Sequence, residues 1–208
     1  MKFFRKTALL FVLFVAAMRV QAQTLKQYIP SDATFVVRMD LANLDSKVSF
    51  DKLKEFDFYK EGMKEFDKEM NRENKELAEA FKNPSAYGID VMNESFMFGN
   101  ISKESSLFGF VFSISDSKKF TKFFKDNIVP EAKGAVMGMM GKFQTMTEDG
   151  VTFAWNDKVG ILVGGEPNAG TDKSVVNGFV KKVLNGSAKN SFMNDARFNK
   201  ATKGRKSD

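Results

Sequence analysis

Lys142-Phe-Gln-Thr-Met-Thr-Glu-Asp149-Gly150-Val-Thr-Phe153-Ala-Trp155-Asn156-Asp157-Lys158-Val-Gly-Ile161-Leu-Val163-Gly164 holds three short runs separated by two turn signals. Asp149-Gly150 is the dipeptide preferred where both central residues of a two-residue hairpin need positive φ. Asn156-Asp157 is a weaker turn of the same kind. Between the turns, apolar residues recur at every second position: Phe153 with Trp155, then Ile161 with Val163. A period of two marks strands with one face buried. The segment therefore predicts strands over 142–148, 151–156 and 158–164. Their links are too short for anything but antiparallel pairing.

Upstream, the same logic gives a second hairpin. Residues 95–100 carry Phe96 and Phe98, and residues 107–115 carry Phe108, Phe110, Phe112 and Ile114. The polar link 101–106 joins them. Further back, Tyr28-Ile-Pro-Ser-Asp-Ala-Thr-Phe-Val-Val-Arg-Met-Asp40 turns once at Pro30-Ser-Asp-Ala. It then alternates, with Phe35, Val37 and Met39 on one side and Val36 and Arg38 on the other. Asp40 offers an N-cap oxygen to a short helix over 41–47.

Helical periodicity fills the gaps between these strand groups. Leu53, Phe56, Tyr59, Met63, Phe66 and Met70 recur at spacings of three and four, one stripe of a helix over about 50–82. Asp57/Lys60, Glu61/Lys64 and Glu65/Lys68 pair along its polar side. The stripe fails at Glu73-Asn74 and resumes at Leu77 and Phe81, so a bend is expected near 70–74. Asn83-Pro84 stops it. Phe120, Phe123, Phe124 and Ile128 face one way over 117–127, with Ser115 or Asp116 as cap. Val175, Val176, Phe179, Val180 and Val183 do the same over 172–184, and Asn185-Gly186 ends that helix. A last short helix is expected over 192–200. Gly134-Ala-Val-Met-Gly-Met-Met-Gly141 has no clear period and reads as a loop or a short weak helix.

The fold class that follows is α+β, a mostly antiparallel sheet of about six strands with helices packed on one face. Residues 23–200 form one domain in this reading, and 201–208 form a flexible basic tail. With 208 residues, 43% hydrophobic and 28% charged, the chain can bury a core of ordinary size.

Residues 1–22 read as a signal peptide rather than fold. Lys2, Arg5 and Lys6 precede an apolar run from Thr7 to Met18, shorter than the roughly 20 residues of a membrane span. Val20-Gln21-Ala22 is a small-residue cleavage pattern, with the cut between Ala22 and Gln23. Beyond it, no stretch is long enough for an integral membrane span. Removal of the signal takes four basic residues, leaving 28 basic against 26 acidic side chains. The mature charge of about +2 then offers no basic face for nucleic acid. With no Cys in the chain there is no lipid attachment at a lipobox, so the protein is not a lipoprotein, and no disulfide.

The absence of His and Cys removes Ser-His-Asp and Cys-His catalysis and the common zinc sites. Ser49…Lys52 and Ser115…Lys118 match S-x-x-K, but the S-D-N and K-T-G elements that accompany it in serine hydrolases are missing. Gly165-Glu-Pro-Asn-Ala-Gly170-Thr-Asp-Lys173-Ser174 lacks the Gly-Lys-Ser/Thr order of a phosphate loop. No acidic string matches a calcium loop. No catalytic, cofactor-binding or metal residue is therefore assigned, and no cofactor. Met adapts to irregular surfaces, so Met137, Met139 and Met140 are singled out as an interaction segment for a partner or for lipid.

Several stretches together resemble an exported bacterial family of unknown function, typical of Bacteroidetes envelopes, many of whose members are lipoproteins. They are 28–40, Asn83-Pro-Ser-Ala-Tyr-Gly-Ile-Asp90, the strand-helix unit from Phe108 to Phe124, Thr152-Phe-Ala-Trp-Asn-Asp157 and Ser191-Phe-Met-Asn-Asp-Ala-Arg-Phe198. The resemblance implies longer chains, often of two similar α+β halves, of which this one is a short or truncated member. It transfers no catalytic residue.

The expected function is that of an exported cell-envelope protein, a non-enzymatic binding or scaffold module in the periplasm or at the outer membrane. Its expected partner is an envelope protein or a glycan; the oligomeric state is left open. The alternative is a carboxylate-based glycan-processing enzyme, which would need two acids facing each other across a pocket.

Overall fold

A computed structural model describes residues 25–47, 79–80, 82–90, 92–103, 105–130, 132, 134–167, 174–187 and 191–196, with 52, 55–57, 59–64 and 68. The eight strands among them are β1 (Phe35–Met39), β2 (Ile89–Asp90), β3 (Ser95–Ile101), β4 (Ser105–Ile114), β5 (Val136–Met140), β6 (Phe143–Glu148), β7 (Val151–Trp155) and β8 (Val159–Pro167). They form one antiparallel sheet in the order β1-β3-β4-β8-β7-β6-β5, with β2 paired to β4. The α-helices described over their whole length are α1 (Leu41–Lys47), α2 (Ser117–Phe123) and α3 (Ser174–Asn185).

The three-strand run behaves as its turns dictate. Asp149 and Gly150 both take positive φ, 44° and 79°, and β6 and β7 close as a two-residue hairpin. At the second turn Asn156 Oδ1 accepts the amides of Lys158 and Val159, at 2.9 and 3.0 Å. That hydrogen bonding is the turn-forming habit of Asn. At the other end of the chain's order, Ala33 N donates to Pro30 O, the single turn that leads into β1. Pro30 also bridges Ser191, and Phe192 N donates to Ile29 O, so the start of the domain is tied to its last described turn.

Strand faces follow from register. Val111 and Ala154 belong to one hydrophobic cluster, while their neighbours Phe112 and Trp155 belong to another. Adjacent residues of a strand point to opposite faces, so the two clusters lie on opposite sides of the sheet. The first cluster lies under α3, which buries Val176, Phe179, Val180, Val183 and Leu184 against it. Each such side chain contributes about 1.5–3 kcal/mol relative to exposure. The one-turn helix Leu25–Tyr28 packs on the same side. The second cluster lies under α2, whose Phe120 joins Phe124 of the following π-helical turn, Phe124–Ile128. Asp116, rather than Ser115, caps α2: its Oδ1 accepts the amides of Lys118 and Lys119 at 3.1 Å each.

The helices therefore cover two faces, which corrects the expectation of one. The central strands explain it: β4 buries Leu107 and Val111 on one side and Phe112 and Ile114 on the other. The sheet also has two more strands than expected. β2 lies at the end of the stretch 83–90, after the 3-10 turn Pro84–Tyr87, and β5 is the Met-Gly segment, which is extended rather than a loop or helix.

A repeated contact stitches the sheet together. The ring of a Phe lies over the Gly directly opposite it on the next strand: Phe35 over Gly99, Phe98 over Gly109, Phe112 over Gly160. A Cβ on any of the three glycines would come within 2.4 Å of the ring. Ring and glycine together fill the space that two ordinary side chains would compete for. This is one use of the 23 phenylalanines.

Of the predicted 50–82 helix, residues 59–64 are helical, with Tyr59 and Met63 half-buried and Lys60, Glu61 and Lys64 exposed, whereas Phe56 of the same predicted stripe is exposed. The Asp57–Lys60 pair forms at 4.0 Å. Leu53, Phe66, Met70, the expected bend at 70–74, Leu77 and Phe81 lie outside the described residues. So do the signal segment with its Ala22/Gln23 cut and the 201–208 tail. Of the predicted 192–200 helix, Phe192–Asn194 form one 3-10 turn, and residues 197–200 lie outside the described residues.

Candidate functional site

Apolar surface left uncovered is the first feature of interest. Phe35 and Val37 of β1, Met97 of β3 and Phe108 of β4 share one face, because Val37 pairs with Met97 and Gly99 pairs with both Phe35 and Phe108. This is the face that α2 covers further along, but α2 does not reach these residues. They are 40%, 44%, 43% and 38% exposed. Single exposed apolar residues are ordinary, whereas a contiguous set on a rigid sheet marks a contact surface. The alternation of β1 is real, yet its more apolar side, Phe35 and Val37, faces outward. Val36, on the other side, packs against the core under α3.

The second feature is the far edge. β5 pairs only with β6 among the described residues. Met137 and Met139 point to one face and Met140 to the other, where it packs against the core. The three methionines singled out from sequence thus share a strand but not a surface. Val136, Met137 and Met139 are exposed.

Two grooves lie elsewhere on the described surface. One, of about 530 Å³, is lined by Asp90, Glu94, Asp157 and Lys158 at the β2 end of the sheet. Its first two acids are already engaged. Asp90 accepts the amides of Met92 and Asn93 at 3.2 and 3.1 Å and the Asn93 side chain at 2.7 Å. Glu94 pairs with Arg38 at 2.9 Å and Lys26 at 3.5 Å. Both acids serve a turn and a surface ion-pair cluster. The other groove, of about 330 Å³, is lined by Gln27, Tyr28, Ser31, Lys182 and Asn185. Lys182 there pairs with Asp32 at 2.7 Å. Gln27 Nε2 is buried without a hydrogen-bond partner.

The Ser115…Lys118 pair lies at a helix start, where its groups serve the turn into α2. Ser115 N donates to Gly88 O at the start of α2, and Ser49 lies outside the described residues. No three His, Cys, Asp or Glu side chains among the described residues come together as a metal site. No described helix is long and apolar enough to cross a membrane. Among the described residues Lys122 has a raised pKa, held up by its hydrogen bond to Asp126 and by that carboxylate's charge. It is an exposed surface pair between Lys122 on α2 and Asp126 on the π-helical turn that follows it.

A model of a protein family described as a domain of unknown function, DUF4836, matches residues 25–208. No curated protein and no solved structure matches the chain.

Proposed function

We propose, for a chain that by this match belongs to the DUF4836 family, the role of an exported cell-envelope binding module without catalytic chemistry of its own. The observation that carries the reading is the uncovered sheet face of Phe35, Val37, Met97 and Phe108. A rigid apolar patch backed by a covered core is suited to docking on another protein. The two groove acids with defined partners, Asp90 and Glu94, are held by a turn and by ion pairs, which is how structural acids behave. Export is supported by the basic-apolar-small pattern of residues 1–22. The site of action in this reading is the periplasm or the outer membrane, and the partner is an envelope protein presenting an apolar patch of its own.

The test is site-specific photo-crosslinking in cells, combined with envelope fractionation. A photoreactive side chain at Met97 or Phe108 is expected to capture one discrete envelope protein, and the same group at exposed Lys181 on α3 is expected to capture none. Recovery of the chain in the cytoplasmic fraction, or equal capture from Lys181, overturns the reading. So does turnover of cell-wall glycan by the purified mature protein.

A further inference from the structure

Edge strands of stable sheets are normally blunted by a charge, a proline or a bulge, because their free backbone groups template pairing with another strand. The β1 edge obeys this rule: Arg38 projects from it to Asp40 and Glu94. The β5 edge does not. Val136-Met-Gly-Met-Met140 has no charge and no proline, and Val136 and Met139 are each 68% exposed.

The hairpin fixes which backbone groups are free. β5 and β6 are joined by Gly141-Lys142 alone, with Gly141 at φ 58°. In a two-residue hairpin the flanking residues, here Met140 and Phe143, exchange their backbone hydrogen bonds, and the pattern alternates from there. Val136, Gly138 and Met140 thus turn their amides and carbonyls toward β6. Met137 and Met139 turn theirs outward.

We propose that β5 pairs antiparallel with β5 of a second copy of this chain, across a two-fold axis at Gly138. In that register Met137 lies opposite Met139 of the second copy, and the outward groups of both meet in four backbone hydrogen bonds. Val136 lies opposite Met140. Gly138 faces Gly138 at a non-hydrogen-bonded position, where Cα atoms approach to about 4.5 Å. Reversed, the segment is its own complement: every cross-strand pair is apolar on apolar or glycine on glycine, and no like charges oppose. A charged or proline-bearing strand would not match it as well. The contact is isologous and closes after two copies, joining two sheets into one. One short strand pair is a small interface, of the class that forms and dissociates readily, so the dimer reverses on dilution.

The absence of Cys makes the test clean. A Cβ at Gly138 would sit 3.4 Å from Thr145 Oγ1, an ordinary contact, and Gly138 has no positive φ, so Gly138→Cys fits the fold. Two such thiols at about 4.5 Å between Cα atoms fall inside the disulfide range. Met137→Cys is the control: the two copies of residue 137 would be about 8 Å apart, beyond that range. With oxidised glutathione as oxidant, Gly138→Cys is expected to form a covalent dimer at least tenfold faster than Met137→Cys. In sedimentation, the wild-type chain is expected to move from monomer to dimer as concentration rises. Met139→Lys should abolish that shift while leaving circular dichroism and the melting temperature unchanged.

Equal crosslinking rates, a wild-type chain that stays monomeric up to millimolar concentration, or a Met139→Lys chain that still dimerises would each overturn the proposal. So would capture by Gly138→Cys of a different protein in place of a second copy. The proposal goes beyond the envelope-binding reading, and the two fail separately: one in sedimentation, the other in fractionation and crosslinking at Met97 and Phe108.

Discussion

The Phe-over-Gly contact at Phe98 and Gly109 permits a quantitative check of the packing argument. Phe98 is fully buried, its ring covers Gly109, and it packs beside Phe179 at 6.4 Å between ring centroids. Phe98→Ala empties that space and should cost about 3–5 kcal/mol. For a domain of this size that is a fall in melting temperature of roughly 6–20 °C. Gly109→Ala alone drives a methyl to 2.2 Å from Phe98 Cζ. The ring has little room to yield, so overpacking should cost about 1–3 kcal/mol. In the Phe98→Ala background the obstacle is gone. The same Gly109→Ala should then be neutral or stabilise by up to about 1 kcal/mol, since Ala loses less backbone freedom than Gly in a strand. The cycle therefore predicts a coupling of at least about 1 kcal/mol, above the few tenths expected of independent sites. Urea unfolding followed by the emission of Trp155, the single tryptophan and fully buried, measures all four chains. If Gly109→Ala costs the same in both backgrounds, the ring is not what occupies the glycine's space and the packing argument fails.

Other expectations are simpler. Asp116→Ala removes the acceptor for two amides at the start of α2 and should cost about 1 kcal/mol, with faster hydrogen exchange at Lys118 and Lys119. Thr121→Val leaves the Trp155 indole N–H, now bonded to Thr121 Oγ1 at 3.2 Å, without a partner, and should cost about 1–3 kcal/mol in urea unfolding. Gly165→Ala would place a methyl 2.2 Å from Ser106 O on a backbone at φ 147°; a loss above about 2 kcal/mol, or no soluble protein, is expected. Arg38→Ala removes two ion pairs whose arginine is half-exposed and should change stability by no more than about 1 kcal/mol at moderate salt.

Local signals were readable where one residue type dictates one geometry. Asp149-Gly150 announced a hairpin because few other dipeptides accept positive φ twice. The Phe120-Phe124 face announced α2 because it is buried against one surface and therefore periodic. β5 gave no such signal. An edge strand open to solvent along most of its surface has no buried side to impose alternation, and Val-Met-Gly-Met-Met is apolar throughout. β2 is two residues long and is a strand only because β4 lies beside it. The methionines of the candidate segment stand out by composition alone, but their division between two faces needed the register with β6.

The amino-acid sequence alone determined the antiparallel hairpins, the buried faces of α2 and α3, the α+β class and the exclusion of every chemistry that needs His or Cys. Each of these rests on bonds between near neighbours or on composition, so each is written locally. The sequence did not determine that β4 lies against β8, about fifty residues away in the chain, or that helices cover both faces. Nor did it show that Phe35, Val37, Met97 and Phe108 stay uncovered. Strand order depends on pairings between distant segments, and alternation says only that a strand has two unlike sides. Which side is buried is decided by what the rest of the chain lays across it. For the run Lys142–Gly164 this means that its turns were legible at once. The faces of its strands acquired meaning only when α2 settled on Trp155 and α3 on Ile161.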